Sequence, residues 1–255
     1  MSERLGEERY NKQGCLMKIV EYNGWDNVIV EFLDNHKTRI RTQYSNFLRG
    51  EVKNPYHPSV FGVGIVGIKY PISINSKCVK EYIAWKSVLS RCYDNKYKEN
   101  QPSYKNVTCC NEWLNYENFY EWLHEQPNFD KWLNGRRWCV DKDILIKRNR
   151  IYSPETCCLV PENVNNLFVK KDRSRGDYPI GVTKNGNKFQ ASCANPFTNK
   201  TESLGKYSTS EQAFFAYKNR KEEIVKQIAV IEHNKGNITK DCYDTMMKYT
   251  VEIND

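Results

Sequence analysis

The sequence lacks the marks of several common protein classes. No apolar run approaches the ~18 residues that a membrane-spanning helix needs, and the opening "MSERLGEERYNKQG" is mixed in charge, with no apolar signal core. A soluble, cytoplasmic protein is expected, with no membrane partner. None of the ten cysteines (15, 78, 92, 109, 110, 139, 157, 158, 193 and 242) forms a Cys-x-x-Cys pair, so no local zinc knuckle is present. Without secretion a disulfide framework has no oxidising compartment to form in. The cysteines therefore read as small buried apolar residues. The alternative is a zinc site from Cys109/Cys110 and Cys157/Cys158, but neighbours on a strand point opposite ways, so each pair offers one ligand. "VFGVGIVG" (60–67) does not end in Gly-Lys-Ser/Thr, which excludes a phosphate loop. Histidine is scarce: the four are His36, His57, His124 and His233, with none between 125 and 232.

What is present bounds the answer further. The chain has 255 residues, a length that suits one to three domains. Its 17 Tyr, 10 Phe and 6 Trp are too many for a disordered chain, which has little to bury. A net charge of +8 favours an anionic partner.

Periodicity divides the chain. "GCLMKIVEY" (14–22), "NVIVEFLD" (27–34) and "KTRIRT" (37–42) alternate between turn residues and predict a three-stranded meander. From 78 to 94 the period changes: Tyr82, Trp85, Val88, Leu89 and Cys92 share one helical face. Residues 111–126 repeat the pattern with Trp113, Tyr116, Phe119, Tyr120 and Leu123, and Asn111 is placed to cap. "RWCVDKDILI" (137–146), the basic turn "KRNR", "IYSPETCCLV" and a helix opening near Pro161 make a ββα order. After the basic linker 170–177, "PIGVTKNG", "KFQASCANP" and "TESLGKY" predict three strands with turns at "NG" (185–186) and "NPFTN" (195–199). A long amphipathic helix (208–233), capped by Ser208 or Thr209, packs through Ala213, Ala216, Tyr217 and Ile224; a tail helix (238–249) docks on it. The expected class is α+β: a β-rich module at 1–57, a helical and ββα region at 58–169, and a three-stranded sheet on one helix at 170–255.

Two resemblances rest on these stretches. "IGV", "KFQA", "LGKY" and "EQAFFAY", in order over about 55 residues, resemble the DNA-binding domain of plant Apetala/ethylene-response-factor proteins and its phage relatives. "AWKSVLSRCYD", "YKNVTCCNEWLNYENFYEW" and "VDKDILIKRNRIYSPETCC", within 80–168, resemble phage HNH endonucleases that carry this domain at their C-terminal end; here the HNH pattern is degenerate. The N-terminal meander resembles a β module of phage proteins.

An HNH core needs a general base, usually His, and one divalent metal to stabilise the leaving oxygen. The resemblance puts Asp141 at an acidic position of that metal site. Asp143 lies two residues on, facing the same side of a strand. The related nucleases read Asn-Cys-Arg-Trp after Ser-Pro-Glu, where this chain has Thr156, Cys157, Cys158 and Leu159. His124 is the remaining candidate base. Glu155 and the Asn163/Asn165/Asn166 cluster are further candidate ligands. If cleavage survives, Mg²⁺ or another divalent ion is required; otherwise no cofactor is called for.

DNA binding needs cations for phosphates and polar side chains for base edges. Residues 131–177 hold eleven Lys/Arg against six Asp/Glu. Arg136, Arg137, Lys147, Arg148, Arg150, Lys170, Lys171, Arg173 and Arg175 are the candidates there; the alternative is a solvated basic face. In the Apetala-type family, alternate residues of the sheet enter the major groove. By position that selects Thr183, Lys188, Gln190, Ser192, Ala194 and Glu202. Lys184, Lys188, Lys200 and Lys206 would form a positive rim. The hairpin and sheet cations are expected to share one polyanion track. The leading expectation is a phage-encoded binder of double-stranded DNA with an HNH-like framework and little or no cleavage, acting in an infected or lysogenic bacterial cell. A metal-dependent nickase or homing-type endonuclease is one alternative. A phage inhibitor that binds a host defence protein or ribonucleoprotein complex is another.

Overall fold

The computed structural model describes residues 4–169 and 178–255. The protein is α+β, and its backbone separates into two compact units, Met1–Glu121 and Trp122–Asp255. Among the described residues, no helix is long and apolar enough to cross a membrane.

The first unit opens with β1 (Glu8–Tyr10), β2 (Leu16–Tyr22), β3 (Val28–Phe32) and β4 (Arg39–Thr42), an antiparallel meander in that order. The sequence predicts three of these strands. β1 was missed because "ERY" is fully exposed and carries no apolar alternation. Backbone pairing holds it to β2, with the Ile19 amide donating to the Glu7 carbonyl at 2.9 Å, and the charges are complementary: Glu8 lies opposite Lys18, Lys18 opposite Glu31, and Glu31 opposite Arg39, so signs alternate across all four strands. The other face buries Met17, Ile19, Val28, Val30 and Phe32 with Phe47 from α1 (Tyr44–Leu48).

After the short pair β5 (Ser73–Ile74) and β6 (Lys77–Cys78) comes α2 (Lys80–Tyr93). It buries Trp85, Val88, Leu89 and Cys92 on the predicted face. α3 (Asn95–Asn100), β7 (Thr108–Cys109) and α4 (Tyr116–Glu125) follow. Asn111 does not cap α4: a 3-10 turn, Glu112–Leu114, intervenes, and the Asn115 side chain accepts from the Glu117 amide at 3.0 Å. Trp113, Tyr116 and Phe119 are fully buried, with Tyr116 5.4 Å from the Trp85 ring.

In the second unit, α5 (Phe129–Asn134) leads to β8 (Trp138–Asp141), β9 (Ile151–Tyr152), β10 (Cys158–Pro161) and α6 (Glu162–Asn165). β8 and β10 pair antiparallel, from Cys158 opposite Asp141 to Pro161 opposite Trp138. The expected first strand (137–146) stops at Asp141, whose carboxylate accepts the Asp143 and Ile144 amides and turns the chain. The expected second strand breaks in two. Thr156 ties the intervening turn by donating its hydroxyl to the Ile151 carbonyl at 2.8 Å.

β11 (Val182–Asn185), β12 (Lys188–Asn195) and β13 (Lys200–Tyr207) form the antiparallel C-terminal sheet, and α7 (Ser210–Asn234) packs on one face of it. Thr209 caps α7 by accepting the Gln212 amide. α8 (Lys240–Met247) packs on α7 through buried Cys242 and Met246. One apolar core joins Val160, Val164 and Leu167 to Ala191, Cys193, Ala213, Tyr217, Ile224 and Met246, so the ββα segment and the three-stranded sheet share an interior.

Candidate nucleic-acid interface

Strand register decides which side chains the sheet presents. Val182 lies opposite Ala191 and Lys184 opposite Phe189, and this set faces α7. The other face carries Thr183 and Asn185 from β11, Lys188, Gln190, Ser192 and Ala194 from β12, and Thr201, Ser203 and Lys206 from β13. Among the described residues it holds two cations and no carboxylate. Neither Lys188 nor Lys206 forms an ion pair with a described residue. Asn185 donates to Gln190 at 2.8 Å and Gln190 to Ser203 at 3.3 Å, so a polar ladder crosses the three strands. Such a ladder fixes side-chain directions before a ligand arrives.

Glu202 is not part of this face. The register shifts between Ala191 and Ser192: Gly205 lies opposite Ala191, but Ser203 lies opposite Ser192, leaving Leu204 as an extra residue. Gly205, at φ +117°, makes the bulge possible. Beyond it the alternation inverts, so Thr201 and Ser203 face outward. Glu202 turns to the α7 side, where Arg220 grips it at 2.8 and 3.1 Å. That pairing holds the Glu202 carboxyl below its ordinary value. Lys200, opposite buried Asn195, also lies on the α7 side, as does Lys184; both remain exposed near the sheet's ends.

The hairpin cations divide into two groups. Arg136 and Arg150 are exposed, and Arg137, at φ +58°, sits 3.8 Å from Glu162. Lys147 and Arg148 are engaged by residues 250–255, at 2.6 Å (Lys147 to Asp255) and 3.0 Å (Arg148 to Glu252). Lys170, Lys171, Arg173 and Arg175, with their linker, lie outside the described residues.

The acids expected to hold a metal have other partners. Asp141 is buried, with one oxygen accepting two backbone amides at 2.8 Å each. Burial pushes its carboxyl above the ordinary value, against the lowering pull of those amides. Asp143 does not share an open face with Asp141; it pairs at 2.6 Å with Lys142, whose ammonium is itself buried and also donates to the Asn149 carbonyl. Asn163 points to Glu232 on α7, at 3.4 Å, and Glu155 is exposed. His124, on the last turn of α4, packs its ring 3.9 Å from Phe129. Among the described residues, no three His, Cys, Asp or Glu side chains gather closely enough to hold a metal ion. The residues present do not fit the single-metal site that the HNH resemblance implies. Cys157 and Cys158 lie in the interior, where burial pushes the Cys157 thiol up to about 12.

Sequence reasoning missed Asn185, Thr201 and Ser203 on the open face, and the acids of 250–255. The "NG" turn could have placed Asn185, since it fixes where β11 ends. Comparisons with protein-family models, curated proteins and solved structures find no match.

Proposed function

We propose that this chain binds double-stranded DNA through the open face of its C-terminal sheet and holds it without cutting. The observation that carries this reading is the carboxylate-free face on which Lys188 and Lys206 flank the Asn185–Gln190–Ser203 ladder. Cations supply sequence-independent attraction to phosphate, and short amides and hydroxyls supply donors and acceptors for base edges. The resemblance to phage proteins is the support for setting this encounter in an infected or lysogenic bacterial cell. Binding without cleavage fits acids already committed to backbone amides and to Lys142.

The test is fluorescence anisotropy of a labelled duplex at several salt concentrations. Wild type is expected to bind, with log affinity falling linearly against log salt. Lys188→Ala/Lys206→Ala is expected to weaken binding roughly tenfold at low salt and to flatten the slope by about 2, as two lost phosphate contacts require. No binding at low salt, or an unchanged slope in the double variant, sinks the proposal. Plasmid nicking by wild type with Mg²⁺ or Mn²⁺ sinks its second half.

A further inference from the structure

The turn after β8 carries two cations that already hold a ligand supplied by the chain itself. The Lys147 ammonium donates to Asp255 Oδ2 at 2.6 Å and to the Thr250 carbonyl at 3.0 Å, with Glu252 3.8 Å away. The Arg148 guanidinium reaches Glu252 Oε2 at 3.0 Å, Asp255 Oδ1 at 3.1 Å and Asn254 Oδ1 at 3.4 Å. Asp255 is almost fully enclosed, its side chain 3% exposed, while Glu252 and Arg148 are half open to solvent. The segment is moored just upstream: Lys218 donates to the Val251 carbonyl at 2.6 Å, and Glu222 accepts the Val251 amide at 2.8 Å. Two carboxylates thus present anionic oxygens to an adjacent Lys and Arg, as neighbouring phosphodiesters of a nucleic-acid strand do.

We infer that Lys147 and Arg148 form a phosphodiester-binding site, and that Glu252 and Asp255 occupy it as an intramolecular stand-in which duplex DNA must displace. This rests on the DNA-binding reading above and adds the regulation of the same activity. The physical basis is competition. The segment is tethered, so its effective concentration at the cations is high. Salt weakens the half-exposed pair and the phosphate contact alike. The segment is moored to α7, which covers the sheet face opposite the open one, so the sheet and hairpin cations do not form one track. The sheet face governs binding while the segment is docked, and the hairpin, once released, offers two contacts to a separate stretch of phosphodiester.

Duplex anisotropy separates the outcomes. Glu252→Gln/Asp255→Asn is expected to bind roughly tenfold tighter than wild type, with a salt slope steeper by about 2. Lys147→Ala/Arg148→Ala in the wild-type background is expected to change affinity less than about twofold, because those cations are already occupied. In the tail variant the same pair of substitutions is expected to cancel the whole gain. Asp241→Asn/Asp244→Asn on α8 removes equal negative charge elsewhere and is expected to give less than about twofold. Circular dichroism checks the fold. Should Asp255→Asn disturb it, Glu252→Gln alone carries the test, with roughly a threefold gain and a slope steeper by about 1. Duplex binding that the tail variants leave unchanged overturns the inference and spares the sheet-face reading; so does a loss above about fivefold from Lys147→Ala/Arg148→Ala alone. No binding by any variant overturns both.

Discussion

Gly181→Ala is expected to lower the stability of the second unit by about 2–4 kcal/mol, a large part of the 5–15 kcal/mol that holds a typical domain together. Gly181 stands at φ +78°, immediately before β11, where its carbonyl accepts the Ser192 amide at 2.9 Å. A residue with a Cβ is strained there by about 1 kcal/mol. The added methyl would also fall within the ring of Tyr217, which is buried on α7. Tyr217 cannot swing away without vacating the core shared with Ala213 and Val182, and overpacking of this kind adds roughly 1–3 kcal/mol. Urea unfolding followed by circular dichroism reads the effect as a lower midpoint at an unchanged slope. A loss under about 1 kcal/mol would mean that β11 does not lie against Tyr217 as described. Because β11 brings Thr183 and Asn185 to the open face, duplex affinity should fall along with stability.

What could be read from the sequence follows from how local each determinant is. The three C-terminal strands and α7 announce themselves through alternation, an Asn-Gly turn and a Thr cap, all within a few residues. Glu202 was misplaced because two-residue alternation carries no mark of a bulge; only pairing with β12 shows that Leu204 is supernumerary. Asn111 and Asn115 are equally good caps in the sequence, and the 3-10 turn between them decides. β1 is a strand because its backbone pairs with β2, and no apolar periodicity signals that. The acidic segment lies more than a hundred residues from the cations it meets, so composition saw a free basic turn where the fold has a neutralised one. Asp141 shows the same limit: a run of Asp-Lys-Asp reads as two ligands and a counter-ion, whereas the fold makes it a turn cap and a separate ion pair.

That last difference predicts how two substitutions at one position diverge. Asp141→Ala removes the acceptor for the Asp143 and Ile144 amides. Ile144 is 4% exposed, so its amide has little access to replacement water. Each buried donor left unpaired costs about 1–3 kcal/mol, so a loss of roughly 2–4 kcal/mol is expected. Asp141→Asn keeps an oxygen in the same place and should stay within about 1 kcal/mol of wild type. The two proteins should also differ in pH response. The folded carboxyl of Asp141 is raised by burial above its unfolded value, which is about 3.9. Between those two values the native state holds the extra proton, so this group's contribution favours the fold at low pH and fades as pH rises through the folded pKa. Asn has no proton to lose, so the stability of Asp141→Asn relative to wild type should improve from pH 4 to pH 7. Urea midpoints for the three proteins across that range test this directly. A destabilised, pH-independent Asp141→Asn would show that the carboxylate charge itself is needed, as in a metal site. Loss of function in Asp141→Ala alone would report a melted turn between β8 and β9, so the Asn variant is the one to pair with wild type in any assay of DNA cleavage.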